Sequence, residues 1–349
     1  MREYIHQRVS ELQNLLPRDS VFFISNPSDI FYLTGQDLGS DGFLLLTSKK
    51  AFFISDSRYR EELQMASDFF IPVEIELNLF KTVAMLLPDS INVVFVQGPC
   101  QIRWVEELQK TSSREIRYSL ELDNKIRYMR AIKNEQEIKI LRQNFSIHRQ
   151  VLTRWQEGIL GKSEKDAKNT WICLVHEFGA EGVSFDAIVA VGPSASRPHY
   201  KAGKRRITGR VPLLFDSGLK RSGYCTDLTR IFFVDRMNHR QRRLFELVKE
   251  AQELAISSIR PGISAKDLDR LVRDFFRRYG VDRYFIHGLG HGLGIDVHES
   301  PTISSRSSDE LKPGMVFTIE PGLYIEGKFG VRIEDVVVVT QKGCKVISR

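Results

Sequence analysis

The stretch Leu214-Phe215-Asp216-Ser217-Gly218-Leu219-Lys220-Arg221-Ser222-Gly223-Tyr224-Cys225-Thr226-Asp227-Leu228-Thr229-Arg230 reads as two apolar strands joined by a Lys-Arg-Ser-Gly turn, a β-hairpin. Symmetry about the Arg221–Ser222 midpoint sets Asp216 directly opposite Asp227, with Cβ atoms about 4.5–5.5 Å apart on one face. Facing carboxylates in an apolar sheet repel each other and are costly unless a cation neutralises them. The device recurs at Phe317-Thr318-Ile319-Glu320-Pro321-Gly322 and Gly330-Val331-Arg332-Ile333-Glu334-Asp335. A turn near Gly327-Lys328 makes Glu320 face Glu334.

Between the hairpins lies Gly288-Leu289-Gly290-His291-Gly292-Leu293-Gly294-Ile295-Asp296-Val297-His298-Glu299, where glycines crowd one histidine and let backbone approach it closely. Asp216, Asp227, Glu320 and Glu334 together with His291 form an oxygen-rich, hard donor set. It is too large for a closed tetrahedral zinc site and suits a pair of divalent ions. Two such ions activate water and polarise a carbonyl, which is the chemistry of hydrolysis.

These segments, in this order, resemble the pita-bread metallopeptidases, specifically the aminopeptidase P and prolidase group. The likeness extends through Pro198-His199-Tyr200, His287-Gly288-Leu289-Gly290-His291, Val297-His298-Glu299-Ser300-Pro301 and Thr318-Ile319-Glu320-Pro321-Gly322-Leu323-Tyr324. In the first half, Asn26-Pro27-Ser28-Asp29-Ile30-Phe31-Tyr32-Leu33-Thr34-Gly35 and Ser55-Asp56-Ser57-Arg58-Tyr59 look like a creatinase-type N-terminal domain. The resemblance implies that Asp216 chelates one metal, that Asp227 and Glu334 bridge two, and that His291 and Glu320 bind the other. It makes Glu320 the proton shuttle as well, with His199 and His298 beside the substrate carbonyl. His287 becomes a substrate-pocket residue, while Tyr324 and Arg332 buttress the carboxylates and line the cleft. With oxygen ligands dominant, manganese is the expected ion, and cobalt or zinc can occupy the same set. Homodimers are common in the group. The alternative from another class is a metal-free binding module, but relatives of that kind generally replace ligand residues, and this chain retains every one.

The group acts on peptides with proline in the second position, whose tertiary amide lacks an N–H and defeats peptidases that grip the backbone donor. A strict dipeptidase must also hold a free carboxylate, most naturally with arginine. Gly288 and Thr302 stand where prolidases carry arginines, so the expected activity is that of an Xaa-Pro aminopeptidase, with Xaa-Pro dipeptidase (prolidase) as the alternative. The basic run Lys201-Ala202-Gly203-Lys204-Arg205-Arg206-Ile207-Thr208-Gly209-Arg210 reads as a solvated loop or as a basic rim to the cleft.

A chain of 349 residues with 42% hydrophobic and 27% charged residues is expected to form two soluble domains. The pattern predicts an α/β domain over 1–122 and an α+β catalytic domain over 123–349, the boundary set by the polar run 121–125. Helices are expected near 2–16, 163–178, 240–258 and 265–279, with Asn134 capping another and Ser264-Ala265-Lys266-Asp267 resembling a capping box. The net charge of +7 is interleaved with acids along helices and implies no nucleic-acid partner. No apolar run is long enough for a membrane span. Cys100, Cys173, Cys225 and Cys344, without a Cys-x-x-Cys pair, read as reduced thiols of a cytoplasmic enzyme. His6, His148, His176 and His239 read as surface or satisfied-core residues.

Overall fold

A sheet buried on both faces needs helices on both sides, and the first half of the chain is built that way. The computed structural model describes residues 2–98 and 100–349, and the chain forms two compact units, Met1–Met129 and Arg130–Arg349. The first unit contains α1 (Arg2–Gln13), β1 (Ser20–Ile24), α2 (Pro27–Thr34), β2 (Phe43–Thr47), β3 (Ala51–Ser55), α3 (Arg60–Met65), β4 (Ile71–Glu74), α4 (Leu79–Leu86), β5 (Val93–Val96), α5 (Ile102–Ser112) and β6 (Glu115–Tyr118). Its strands form a mixed six-stranded sheet, β4-β3-β2-β1-β5-β6. Val21, Phe23, Leu45, Ile54 and Val94 meet Val83 of α4 and Leu108 of α5 on one face. Phe22 and Leu44, which alternate with them, are fully buried on the other.

The boundary expected at 122/123 lies inside α6 (Leu120–Ala131), and the two units part between Met129 and Arg130. The run looks polar, yet Leu122, Ile126 and Met129 recur at helical spacing and are all buried.

The second unit continues with α7 (Glu135–Glu157), α8 (Glu164–Glu177), β7 (Ile188–Val191), β8 (Leu213–Ser217), β9 (Lys220–Arg221), β10 (Tyr224–Cys225), β11 (Leu228–Phe232), α9 (His239–Ser258), α10 (Ala265–Arg278), β12 (Gly290–Gly292), β13 (Glu299–Ile303), β14 (Val316–Ile319), β15 (Gly322–Ile325), β16 (Phe329–Arg332), β17 (Asp335–Val339) and β18 (Cys344–Val346). Its principal sheets run β11-β8-β7 and β13-β12-β14-β17-β18. Trp155 of α7 and Trp171 of α8 share one core with Phe215 of β8, and Trp155 stacks on Phe215 at 3.7 Å. Val248 of α9 and Phe276 of α10 share another with Phe317 and Val337. Each carboxylate hairpin thus has its own pair of helices behind it, an α+β arrangement.

Asn134 caps α7 in a full capping box with Glu137. The box expected at Ser264 does not form: its side chain makes no capping bond, and its backbone bridges to Glu310 instead.

The first hairpin also departs from expectation. Its two-residue turn is Ser222-Gly223, with φ of 52° and 75°, the left-handed pair that a tight hairpin turn needs. Asp216 therefore pairs with Thr229 rather than with Asp227. The shift is two residues, which preserves the alternation of faces, so Asp227 sits diagonally from Asp216 on the same side. The second hairpin has the expected register. Ile319 pairs with Asp335 and Gly322 with Arg332, leaving Glu320 across from Glu334.

Between the β8–β11 and β9–β10 ladders the regular pairing of the first hairpin is interrupted, with the Thr226 N–H still donating to the Leu219 carbonyl at 2.8 Å, and His148 of α7 packs there. Its Nδ1 lies 2.8 Å from Thr226 Oγ1 and its Nε2 3.2 Å from Ser217 Oγ, so one ring braces the neighbours of both aspartates. Burial pushes the imidazole down to about 3 from an ordinary 6.5, so one nitrogen donates and the other accepts. From pH 6.5 down towards 3 the unfolded chain binds a proton that folded His148 refuses, and stability falls as the pH drops. Substituting His148→Gln, which can still donate and accept, should flatten the pH dependence of the unfolding free energy by one proton in that window, about 1.4 kcal/mol per pH unit. Denaturant titrations at a series of pH values measure this, and identical slopes would refute a neutral brace.

Candidate active site

Alternation along β8 sends Phe215 into the tryptophan core and turns Asp216 the other way. The same rule on β14 buries Phe317 and Ile319 against the helices and leaves Thr318, followed by Glu320, on the opposite face. Gly290 is required where β12 lies beside β14, because a Cβ there would lie 1.9 Å from the Thr318 carbonyl oxygen. That approach lets the His291 N–H donate to Thr318 Oγ1 at 3.0 Å. His291 Nδ1 lies 3.1 Å from the Gly292 carbonyl and donates to it. The Nε2 lone pair is left pointing at the carboxylates, 3.4 Å from Glu320 Oε1 and 3.6 Å from Asp227 Oδ2.

A cavity of about 550 Å³ opens over this floor, and Asp216, Asp227, His291, Glu320 and Glu334 all line it. Ligand atoms of Asp227, His291 and Glu334 lie within 4.8 Å of one another. Burial, then the charges of their acidic neighbours, holds Asp227 and Glu334 well above the usual carboxylate range. Burial raises Glu320 in the same direction and lowers His291. Asp216 Oδ1 and Glu334 Oε1 are buried with no hydrogen-bond partner. Unpartnered carboxylate oxygens around a neutral imidazole are a costly arrangement that divalent cations relieve, so the donor set fits metal ions.

Arg332 is the cation built into this floor. It donates from Nη2 to Asp216 at 2.6 Å, from Nε to Thr229 Oγ1 at 2.9 Å and from Nη1 to the Tyr324 hydroxyl at 2.8 Å. Thr229 donates onward to Glu334 at 2.7 Å, so one guanidinium orients a carboxylate on each hairpin. Tyr324, expected to line the cleft, is instead buried behind it. Its phenol, pushed up to about 12 by burial, lies 3.1 Å from His287 Nε2 and donates to it, while His287 Nδ1 donates to the Gly288 carbonyl at 2.7 Å.

His199, His287 and His298 face the cavity from its walls. The rings of His298 and His291 meet edge to face at 4.2 Å, and burial, then the neighbouring imidazoles, depresses the His298 pKa. Cys225 is not among the lining residues. Its buried thiol, pushed up to about 12, donates to the Ile295 carbonyl at 3.2 Å.

Three supports escaped the sequence reading. In the sequence Thr229 carries no signal beyond that of a strand residue. Glu299, next to His298, is held by Lys133 at 2.5 Å and Arg130 at 2.7 Å. The sequence carries no local sign of this, because the partners of Glu299 lie more than 160 positions away. Glu164, fully buried, accepts the Val191 N–H at 2.9 Å, the Tyr200 hydroxyl at 2.7 Å and the Gly203 N–H at 3.0 Å. By sequence alone it is an ordinary acid in a first helical turn.

Residues 8–132 match the creatinase/prolidase N-terminal domain. The chain is 33% identical over 345 residues to an Xaa-Pro dipeptidase of Pyrococcus horikoshii, covering 98% of this chain and 96% of that protein. Among solved structures it resembles an Xaa-Pro dipeptidase of Bacillus anthracis (TM-score 0.93, 29% identity, 100% of this chain and 98% of that one). It also resembles an X-Pro aminopeptidase of Thermotoga maritima (TM-score 0.88, 30% identity, 97% of each chain). Residues 139–341, more than half of the chain, match metallopeptidase family M24, and with a creatinase-type domain ahead of them the protein belongs to that family.

Proposed function

We propose that this protein hydrolyses Xaa-Pro dipeptides with a pair of divalent ions, manganese for preference. The observation that carries the reading is a retained donor set within a chain similar over nearly its whole length to Xaa-Pro dipeptidases, the Pyrococcus horikoshii protein among them. Asp216, Asp227, Glu334, His291 and Glu320 would hold the ions. When bound, such ions supply Lewis-acid polarisation and a more acidic water.

The protein's own groups do the rest. Glu320, whose pKa is raised by burial, takes a proton from the attacking water and returns it to the departing proline nitrogen. His199 and His298 donate hydrogen bonds to the carbonyl oxygen as negative charge develops there. Arg332 and Thr229 fix the carboxylates of both hairpins, and His287 borders the space beside them.

The aminopeptidase activity expected from the sequence stands as the second reading. Gly288 and Thr302, both on the cavity wall without a charge, favour it, as does the likeness to the Thermotoga maritima structure. Assaying metal-stripped and manganese-loaded protein on Xaa-Pro and Xaa-Pro-Xaa peptides side by side separates the readings. Hydrolysis should require the metal, with kcat/KM at least about tenfold higher on the dipeptide. Preference for the tripeptide would favour the aminopeptidase, and no turnover by loaded protein on either would indicate a binding module.

Glu320→Gln keeps side-chain volume but removes the proton carrier. Its kcat should fall by at least about 10²-fold, more than any rise in KM. Metal content measured on the same sample separates loss of the proton carrier from loss of a ligand, and unchanged turnover would remove Glu320 from the mechanism.

A further inference from the structure

A free Xaa-Pro dipeptide carries a carboxylate immediately beyond the scissile bond, above a floor that is already acidic. Without a cation to receive it, that charge is repelled by the floor. The arginine and lysine side chains lining the cavity are Arg332 and Lys201. Arg332 is buried and fully engaged with Asp216, Thr229 and Tyr324. Lys201 is exposed and, among the described residues, makes no hydrogen bond or ion pair.

The backbone around Lys201 is nevertheless well fixed. Tyr200 before it and Gly203 after it are both tied to buried Glu164, and the Arg197 guanidinium lies 4.4 Å above the Tyr200 ring. Farther along, the Glu164 N–H donates to the Arg205 carbonyl at 2.9 Å and the Ile207 N–H to the Lys162 carbonyl at 2.8 Å. The basic run is therefore anchored at several points rather than freely solvated. Lys204, Arg205 and Arg206 are exposed but line no part of the cavity. Lys201 alone of the run does, on the same wall as His199, two residues earlier.

We infer that Lys201 is a specificity-determining residue that receives the C-terminal carboxylate of the dipeptide, an inference that rests on the dipeptidase reading above. An ammonium on a flexible stem is a point charge, so the contact needs no bidentate geometry and is compatible with the absence of arginine at 288 and 302. Exposure also makes it sensitive to salt.

The test compares Xaa-Pro with Xaa-Pro-amide on the manganese-loaded full chain and on its Lys201→Met and Lys201→Arg variants. Wild type should prefer the free acid, and the preference should shrink as ionic strength rises. In Lys201→Met the ratio of kcat/KM values should fall about tenfold, carried by KM for the free acid, and should lose its salt dependence, while Lys201→Arg restores both. If wild type prefers the free acid but Lys201→Met keeps the same ratio and salt response, Lys201 is not the receptor and the dipeptidase reading survives. If wild type fails to prefer the free acid, the dipeptidase reading falls and this inference falls with it.

Discussion

Carboxylates facing one another in a buried space govern this structure. Asp216, Asp227, Glu320 and Glu334 converge where water is scarce, and among the described residues the guanidinium that lines the cavity beside them is that of Arg332. Four such charges cannot coexist with one cation in a poorly solvated interior, so the folded chain must keep protons on some of them or take up metal ions. The raised pKa values of Asp227, Glu320 and Glu334 describe the first solution. The orphan oxygens of Asp216 and Glu334 point to the second.

Holding such a set together requires a scaffold that does not relax away from its own repulsion. Each hairpin is therefore fixed from behind by an aromatic or aliphatic core and two helices, and close-packed interiors of this kind yield little. Cross-bracing adds direction to rigidity. Arg332 reaches Asp216 on the first hairpin and, through Thr229, Glu334 on the second. His148 ties Ser217, next to Asp216, to Thr226, next to Asp227. These contacts resist the outward push of like charges, and each acts on residues adjoining the candidate ligands.

What the sequence disclosed and what it concealed follow from the range of each signal. Hairpin periodicity is local, so Asp216, Asp227, Glu320 and Glu334 could be assigned to one face from pattern alone, and the second register followed from the turn at Gly327. The first register slipped by two residues because it depended on which pair adopts positive φ, Ser222-Gly223 rather than a centre at Arg221–Ser222. Contacts between distant segments left no local trace. Glu164 to Tyr200 and His148 to Thr226 each join a helix to a segment far along the chain, and Lys133, in the link between two helices, reaches Glu299. Tyr324 was placed in the cleft because its motif sits beside Glu320, whereas its ring lies buried beneath His287. The expected boundary falls at 122/123 because polar residues dominate 121–125, whereas Leu122, Ile126, Met129, Arg130 and Ala131 of the helix Leu120–Ala131 are buried.

The acidic floor also constrains how a substrate enters. Divalent ions would cancel much of the floor's charge, yet an anionic chain end still approaches a region in which every fixed cation is already paired. Electrostatic discrimination must then come from the rim, where charge is solvated, mobile and weaker per contact than a buried arginine pair. An enzyme built this way would separate free dipeptides from longer peptides by a modest factor rather than by exclusion, because nothing at Gly288 or Thr302 closes the end of the cavity with charge. That physical reasoning reconciles a chain that resembles both dipeptidases and an aminopeptidase. On the proposed reading the acidic floor would serve either activity, and the choice between them would rest on wall residues such as Lys201, Gly288 and Thr302.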